Sequence, residues 1–277
     1  MANPMSIPDM EAMARQLRRH IIRMISGANS GHPGGSLSSV EIITALYFRV
    51  LKHDPKDPLM PERDRFVLSK GHAAPVLYAA LAECGYLDVA ALSTLRQIDS
   101  CLQGHTDCRI TPGVEMSAGA LGQGLSFAVG VSLGTRLDKK DCRTYVLLGD
   151  GECDEGQVWE AAMAAAHFRL DNLIAFLDYN KLALDGSLEE IMEIADITAK
   201  WVSFNWFVQR IDGHDYRQLE HAIQRAKLER GRPSMIVLDT IKGKGCSFAE
   251  NRVESHHMSF DMTKAREAIA ILEAEDV

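Results

Sequence analysis

Apolar residues near the start of the chain recur at helical spacing. Met13, Leu17, Ile21, Met24 and Ile25 share one stripe, with Arg15, Arg18, Arg19 and Arg23 between them. The pattern predicts an amphipathic helix from Asp9 to Ser26. From Ser26 to Gly35 turn formers are too dense for a regular element. Ser36 then reads as the N-cap of a helix through Glu41, Ile42, Leu46 and Tyr47, with Ser39 as a competing cap. His32 is thereby placed on a tight loop beside a helix start. Short apolar runs read as buried strands at Phe66 to Leu68, Tyr145 to Leu148, Leu173 to Leu177 and Met235 to Leu238, with Phe207 to Ile211 as a fifth. Helices are predicted for the alanine-rich stretch Val158 to Phe168 and for Tyr216 to Leu228.

Strands that alternate with helices and are apolar on both faces predict a three-layer α/β fold, a parallel sheet with helices on both faces. No internal repeat or Pro/Ser-rich linker interrupts residues 1–277, so a single domain is expected. Ligands of such sheets bind beyond the carboxyl ends of the strands. Three loops lie there: Ser69-Lys70-Gly71-His72, Gly149-Asp150-Gly151 and Asp178-Tyr179-Asn180-Lys181.

Composition narrows the function classes. With 46% hydrophobic and 25% charged residues the chain reads as a soluble globular protein. A net charge of -8 argues against a nucleic-acid or anionic-membrane partner, which would require clustered Lys and Arg. The six cysteines show no C-x-x-C pair and no zinc-ligand spacing, so reduced thiols in a cytoplasmic protein are expected. No apolar run approaches the roughly 18 residues that span a bilayer, and Met1 to Pro8 lacks the apolar core of a secretion signal.

Gly149-Asp150-Gly151 directly after a strand sets a carboxylate between two residues that let a ligand approach the backbone. Asn180, just past the next strand, brings a neutral oxygen toward the same place, and a following backbone carbonyl can complete a hard donor set suited to Mg2+ with diphosphate and water. A lone Gly-Asp-Gly is a common turn. The order strand, GDG, helix, strand, Asn is much more specific, and here the sequence resembles the thiamine-diphosphate enzymes, whose motif opens with GDG and closes with Asn.

The resemblance narrows to transketolase and runs from about Asp9 to His256. It is carried by Ser30-Gly31-His32-Pro33-Gly34-Gly35, Ser69-Lys70-Gly71-His72-Ala73, Gly104-His105, Thr111 to Ser117, Leu121-Gly122-Gln123-Gly124, Gly149 to Glu160, and Asp212-Gly213-His214-Asp215. It implies a thiamine-diphosphate-binding domain of the type that holds the diphosphate. Asp150, Asn180 and the Leu182 carbonyl would hold Mg2+ or another divalent cation, and His72 and the Gly151 backbone would contact the diphosphate. Gly119 and Leu121 would line the ring region. His32, His105 and His256 would contact the sugar and move protons, and Glu155 would lie at the subunit contact, facing a glutamate of the partner.

Those roles make chemical sense, because the cofactor carries the charge of carbon-carbon bond cleavage and the protein must mainly move protons, a task suited to histidine. His53, His167 and His221 read as packing or surface residues. In Asp212-Gly213-His214-Asp215, helix entry with Asp215 as N-cap is sufficient. For Lys242 and Lys244, set among glycines after a strand, a phosphate contact and a solvated loop are equally open.

The sequence departs from the family in three places. Ala120 stands where many relatives have proline or another small residue. Glu254-Ser255-His256-His257 falls where an aromatic residue commonly precedes a single histidine, so either His256 or His257 is the match. A full-length transketolase continues through pyrimidine-binding and C-terminal domains, which are expected here on a separate chain in an α2β2 assembly; a fragment is the alternative. The resemblance implies transfer of a two-carbon ketol unit from a ketose, expected to be phosphorylated, to an aldose. Two other readings stand beside it. One is a thiamine-diphosphate reaction on 2-oxo acids or in deoxyxylulose phosphate synthesis, against which His32 and His105 argue. The other is a non-catalytic relative, whose mark would be loss of Asp150, Asn180 or His72.

Overall fold

A computed structural model describes residues 5–274; the Met1 end of the stretch read for a secretion signal lies outside the described residues. The first helix, α1 (Ile7–Ala28), begins two residues before its predicted start. Ser6 accepts from the Asp9 N–H, Pro8 fits the first turn, and Asn29 ends the helix in the left-handed conformation. Of its apolar stripe Leu17, Ile21, Met24 and Ile25 are buried and Met13 is partly buried.

The predicted helix from Ser36 to Tyr47 is instead broken in two, α2 (Pro33–Leu37) and α3 (Val40–Ala45), the latter running on as a wider turn over Leu46–Val50. Neither serine makes a side-chain cap. Ser36 Oγ donates to the His32 carbonyl at 2.8 Å and Ser39 Oγ to the Gly35 carbonyl at 2.9 Å. Hydroxyls that bond back onto the preceding turn compete with the helical ladder. His32, not Ser36, occupies the cap position of α2.

The remaining elements are β1 (Arg65–Leu68), α4 (Ala74–Cys84), α5 (Gln123–Leu137), β2 (Thr144–Gly149), α6 (Gly156–His167), β3 (Leu173–Tyr179), α7 (Leu188–Ile191), α8 (Ile197–Ser203), β4 (Phe207–Asp212), α9 (Tyr216–Leu228), β5 (Ser234–Asp239) and α10 (Met262–Ala274). All five predicted strands pair in one parallel sheet, ordered β1-β2-β3-β5-β4. Alternate residues of β1, β2, β3 and β5 feed two cores. Phe66, Tyr145, Leu147, Phe176 and Ile236 pack with α1, α3, α4, α9 and α10, while Val67, Val146, Leu148, Ala175 and Val237 pack with α5, α6 and α8. Because every strand is parallel, all five carboxyl ends open on the same edge.

Candidate active site

Buried charges tie together the loops at that edge. Lys70, just after β1, is 1% exposed, and its ammonium pairs with Asp178 near the end of β3. Asp178 also accepts from Ser38 Oγ at 2.6 Å, from Asn180 Nδ2 at 3.1 Å and from Thr240 Oγ1. Burial alone would raise this carboxyl; Lys70 and the hydroxyl donors hold it below the usual carboxylate range. Glu152 plays a similar part in the neighbouring loop. It accepts from the Gly122 N–H at 2.9 Å, the Gly149 N–H at 3.0 Å and Ser69 Oγ, so one buried carboxylate joins the loops after β1 and β2 to the segment entering α5. Its own carboxyl is raised, mainly by burial.

Asp150 closes β2. Its oxygens accept from the Gly151 N–H at 2.8 Å and the Lys181 N–H at 2.5 Å. Burial first, then the nearby Asp178 charge, pushes its carboxyl up to about 6. Asn180 Oδ1 accepts from the Leu182 N–H at 3.2 Å, and the Leu182 carbonyl accepts from Lys242 Nζ at 2.8 Å. Lys242 also donates to the Ala183 carbonyl at 2.7 Å, and burial lowers its ammonium to about 8. Of the two readings left open for Lys242, a solvated loop is excluded. Lys244, by contrast, is half-exposed beside Glu250.

This donor set fits a cation-bridged diphosphate. Among the described residues no three His, Cys, Asp or Glu side chains group to hold a metal by themselves. The protein offers one carboxylate, one amide oxygen and one backbone carbonyl, which leaves places in an octahedral shell for diphosphate oxygens and water. Lys70 and Lys242 supply compensating positive charge, and His72 a neutral ring nitrogen. A Cβ at Gly35 would lie 3.1 Å from His72 Nε2 and 3.3 Å from Lys70 Nζ, so the missing side chain leaves these donors uncovered.

Beside these loops the predicted histidines converge. The His32 ring centroid lies 5.4 Å from His72, 5.6 Å from His105, 5.7 Å from His256 and 4.8 Å from His257. An antiparallel bridge from Gly31 to Met258 and a 3.2 Å contact from Ser30 Oγ to His257 Nε2 hold the two remote segments together. His256 stacks on His72 at 4.9 Å with Nδ1 3.4 Å from Lys242 Nζ, while His257 is exposed against His32. Burial, then the surrounding bases, lowers His32 to about 3; burial, then Lys242 and Lys70, lowers His256 to about 4. His72 and His105 are lowered too, chiefly by burial. These imidazoles are therefore neutral at pH 7, and His32 Nδ1 is buried without a hydrogen-bond partner.

The segment before α5 covers the loop after β1. Its Ala118 abuts Gly71, where a Cβ would come within 2.6 Å of the Ala118 methyl. On this segment Gly119 has open space around it and Leu121 is half-buried. Gly122 is left-handed at φ 80°, so that Glu155, exposed at the start of α6, lies against its backbone. His214 belongs to a structural network. It bonds Glu41 at 2.9 Å and accepts from the Ile241 N–H, while Asp215 caps α9 as expected.

Residues 10–272 match the family described as transketolase, thiamine diphosphate binding domain. The chain belongs to the transketolase family. It is 48% identical over 267 residues to the 6-deoxy-6-sulfo-D-fructose transketolase subunit SqwG of Clostridium sp. (strain MSTE9), covering 96% of this chain and 97% of that protein. It is 43% identical over 256 residues to an apulose-4-phosphate transketolase subunit of Actinobacillus succinogenes, covering 91% of this chain and 92% of that protein. The transketolase structure from Leishmania mexicana superposes with a TM-score of 0.89 at 32% identity, over 99% of this chain and 41% of that one. The chain thus spans about two-fifths of the solved transketolase it matches. Membership makes this transketolase-family chain a ketol-transferase subunit built on a thiamine-diphosphate-binding domain.

Sequence reasoning passed over Lys70, Glu152 and Asp178 as site residues, although all three lie within the quoted loops and motifs. The available signal was position: a Lys or an Asp at the end of a strand apolar on both faces enters a buried layer and requires a partner there.

Proposed function

We propose that this chain is the diphosphate-holding subunit of a two-chain transketolase that moves a two-carbon ketol unit from an anionic ketose to an aldose. The single observation carrying this reading is the convergence of neutral histidines beside the oxygen and ammonium groups of the strand-end loops. When bound, thiamine diphosphate supplies the electron sink for cleaving the carbon-carbon bond next to a ketose carbonyl. Asp150, Asn180 and the Leu182 carbonyl would hold Mg2+, for which Lys242 would have to release that carbonyl. His72 and the Gly151 backbone, with Lys70 and Lys242, would bind the diphosphate, and Gly119 and Leu121 would flank the rings.

The sugar is then left to the outer histidines. His32 and His105 would take hydrogen bonds from its hydroxyls and carry protons to and from the reacting carbon and its oxygens. Both His256 and His257 flank His32. The stacking of His256 on His72 favours the diphosphate end for it, and the exposure of His257 favours the sugar end. Glu155, exposed beside Gly122, would meet the partner chain.

Relatives of nearly this chain's length carry the word subunit in their names, which supports a separate partner bearing the pyrimidine-binding and C-terminal domains. Closed symmetric oligomers favour α2β2. A cytoplasmic setting suits six cysteines that are all free. Among the described residues no helix is long and apolar enough to cross a membrane. Ketol transfer measured on the chain alone and on the chain mixed with its partner tests the proposal. Activity should appear only on mixing, with ketose phosphate and not pyruvate as donor; robust transfer by the lone chain refutes it.

A further inference from the structure

Glu41, buried in α3, divides its two oxygens between two elements remote from it in sequence. Oε1 accepts from Arg18 Nη2 of α1 at 2.6 Å, and Oε2 lies 2.9 Å from His214 Nδ1 in the turn after β4. Burial would raise this carboxyl; the Arg18 charge and then the bond from His214 hold it below the usual carboxylate range, so it is ionised. The tautomer of His214 follows from its other nitrogen. Nε2 faces the Ile241 N–H at 2.9 Å, a group that can only donate, so Nε2 accepts and Nδ1 carries the hydrogen given to Glu41. Arg18, for its part, turns Nε to the Lys244 carbonyl at 3.0 Å.

Both arms therefore end on the loop after β5, one on each side of Lys242. Ile241 is held through His214 and Lys244 through Arg18, with one carboxylate as their common anchor. Two glycines make room for this. Gly245 is left-handed at φ 80°, and a Cβ there would lie 2.9 Å from both Cδ and Nε of Arg18, while a Cβ at Gly34 would lie 2.9 Å from Lys242 Cγ. The Gly243 N–H completes the seating by donating to the Gly34 carbonyl at 3.0 Å. A lysine ammonium rides on a flexible four-carbon stem, so the backbone at its root decides what it can reach. Here that reach takes a buried ammonium to the Leu182 and Ala183 carbonyls.

We propose that Glu41 is a positioning residue of the cofactor site: through His214 and Arg18 it fixes the backbone on either side of Lys242, and so sets how tightly the site holds a diphosphate. The inference rests on the diphosphate-holding role proposed above. With the root of the side chain fixed, the ammonium can turn from the Leu182 carbonyl to a diphosphate oxygen without the loop moving. Glu41→Gln keeps the shape of the side chain but makes one of its two ends a donor. With the amide oxygen toward Arg18, its NH2 meets the His214 Nδ1–H; with the oxygen toward His214, it meets the guanidinium. A switch of tautomer only moves the conflict to the Ile241 N–H. One arm opens in every case.

The test is a double-mutant cycle. Thiamine diphosphate affinity is measured by calorimetry with Mg2+ for wild type, Glu41→Gln, Lys242→Met and the double variant, each assembled with the partner chain. Glu41→Gln should loosen binding roughly 10-fold while Lys242 is present, the size expected for a lost charge-assisted hydrogen bond, and less than about twofold in the Lys242→Met background, where there is no ammonium to act through. A similar loss in both backgrounds, or none with Lys242 present, overturns the proposal. Hydrogen exchange of the full chain alone gives a second readout that needs no cofactor. In Glu41→Gln the amides of residues 241–245 should exchange on the order of tenfold faster while those of β2 keep their rates; uniform acceleration, or none, overturns the clamp. Should the assembled wild type bind no thiamine diphosphate, the functional reading fails, and the exchange comparison alone decides whether Glu41 holds the loop of Lys242. If Glu41→Gln does not fold, His214→Phe, which keeps a ring and loses both of its bonds, replaces it in both measurements with the same expected outcomes.

Discussion

His32 is kept neutral first by burial and then by the bases around it, which gives its effect on stability a definite sign. In the unfolded chain it takes up a proton below about 6.5, and in the fold only near 3. Between these values the unfolded state holds more protons, so this residue makes stability rise with pH. Asp150 works in the opposite sense: its folded value of about 6 exceeds its ordinary 3.8, so its contribution falls as pH rises between the two. The two overlap, and the His32→Gln variant separates them. In urea titrations the stability of wild type minus that of His32→Gln should grow from pH 4 to 6.5 and stay level above pH 7; a difference independent of pH would contradict the burial argument. On activity, His32→Ala and His105→Ala should each reduce turnover on the order of 10²-fold while leaving cofactor affinity nearly intact. An equal loss of cofactor binding would move them to the diphosphate end. His32, His105, Asp150 and Asn180 were legible as candidates because each stands at a strand end or in a glycine- or proline-rich turn. Lys70 and Asp178 were passed over, since they come from separate loops and only the sheet register joins them, whereas for Lys242 a phosphate contact stood as one of two readings. Asp178, for instance, sits beside Gly149 of β2 and Leu238 of β5.

At the level of elements, one carboxylate and a few close approaches position the site. Glu152→Ala would leave the Gly122 and Gly149 N–H groups and the Ser69 hydroxyl without an acceptor in a buried layer. With unsatisfied buried donors costing about 1–3 kcal/mol each, a loss of at least about 3 kcal/mol is expected in denaturant unfolding, together with weaker cofactor binding. A loss below 1 kcal/mol would mean that the three loops hold without it. The seating of α5 offers a second test. A Cβ at Gly124 would meet Ser69 Oγ at 2.3 Å and Ser69 Cα at 2.7 Å, whereas at Gly134 it would meet nothing. Gly124→Ala should therefore destabilise the chain by about 1–3 kcal/mol, and Gly134→Ala should stabilise it by about 0.5–1 kcal/mol through helix propensity. The strands and α1, α6 and α9 were legible from their apolar patterns. The helix α4 was not, because residues 74–82 are all buried and a helix with no polar face shows no 3.6-residue period. The break between α2 and α3 also escaped, because it depends on where Ser36, Ser38 and Ser39 send their hydroxyls.

On the scale of the whole molecule, the parallel sheet delivers three loops to one edge. The chain carries a net charge of -8, and its candidate site sets Lys70 and Lys242 among the carboxylates of Asp150, Glu152 and Asp178, so that the cations balance buried acids. The fold class and its strand-end loops were readable from alternation of strand and helix; the pairing of buried acids with lysines from separate loops was not, because it arises only when the sheet brings those loops together. The claim on which the account depends is that Asp150 and Asn180 bind a cation bridging protein and diphosphate. Calorimetric titration of thiamine diphosphate into the chain assembled with its partner, with and without Mg2+, addresses it directly for wild type, Asp150→Ala and Asn180→Ala. Wild type should bind the cofactor tightly only with Mg2+ and both variants should lose that binding; unchanged affinity in both variants would contradict the assignment.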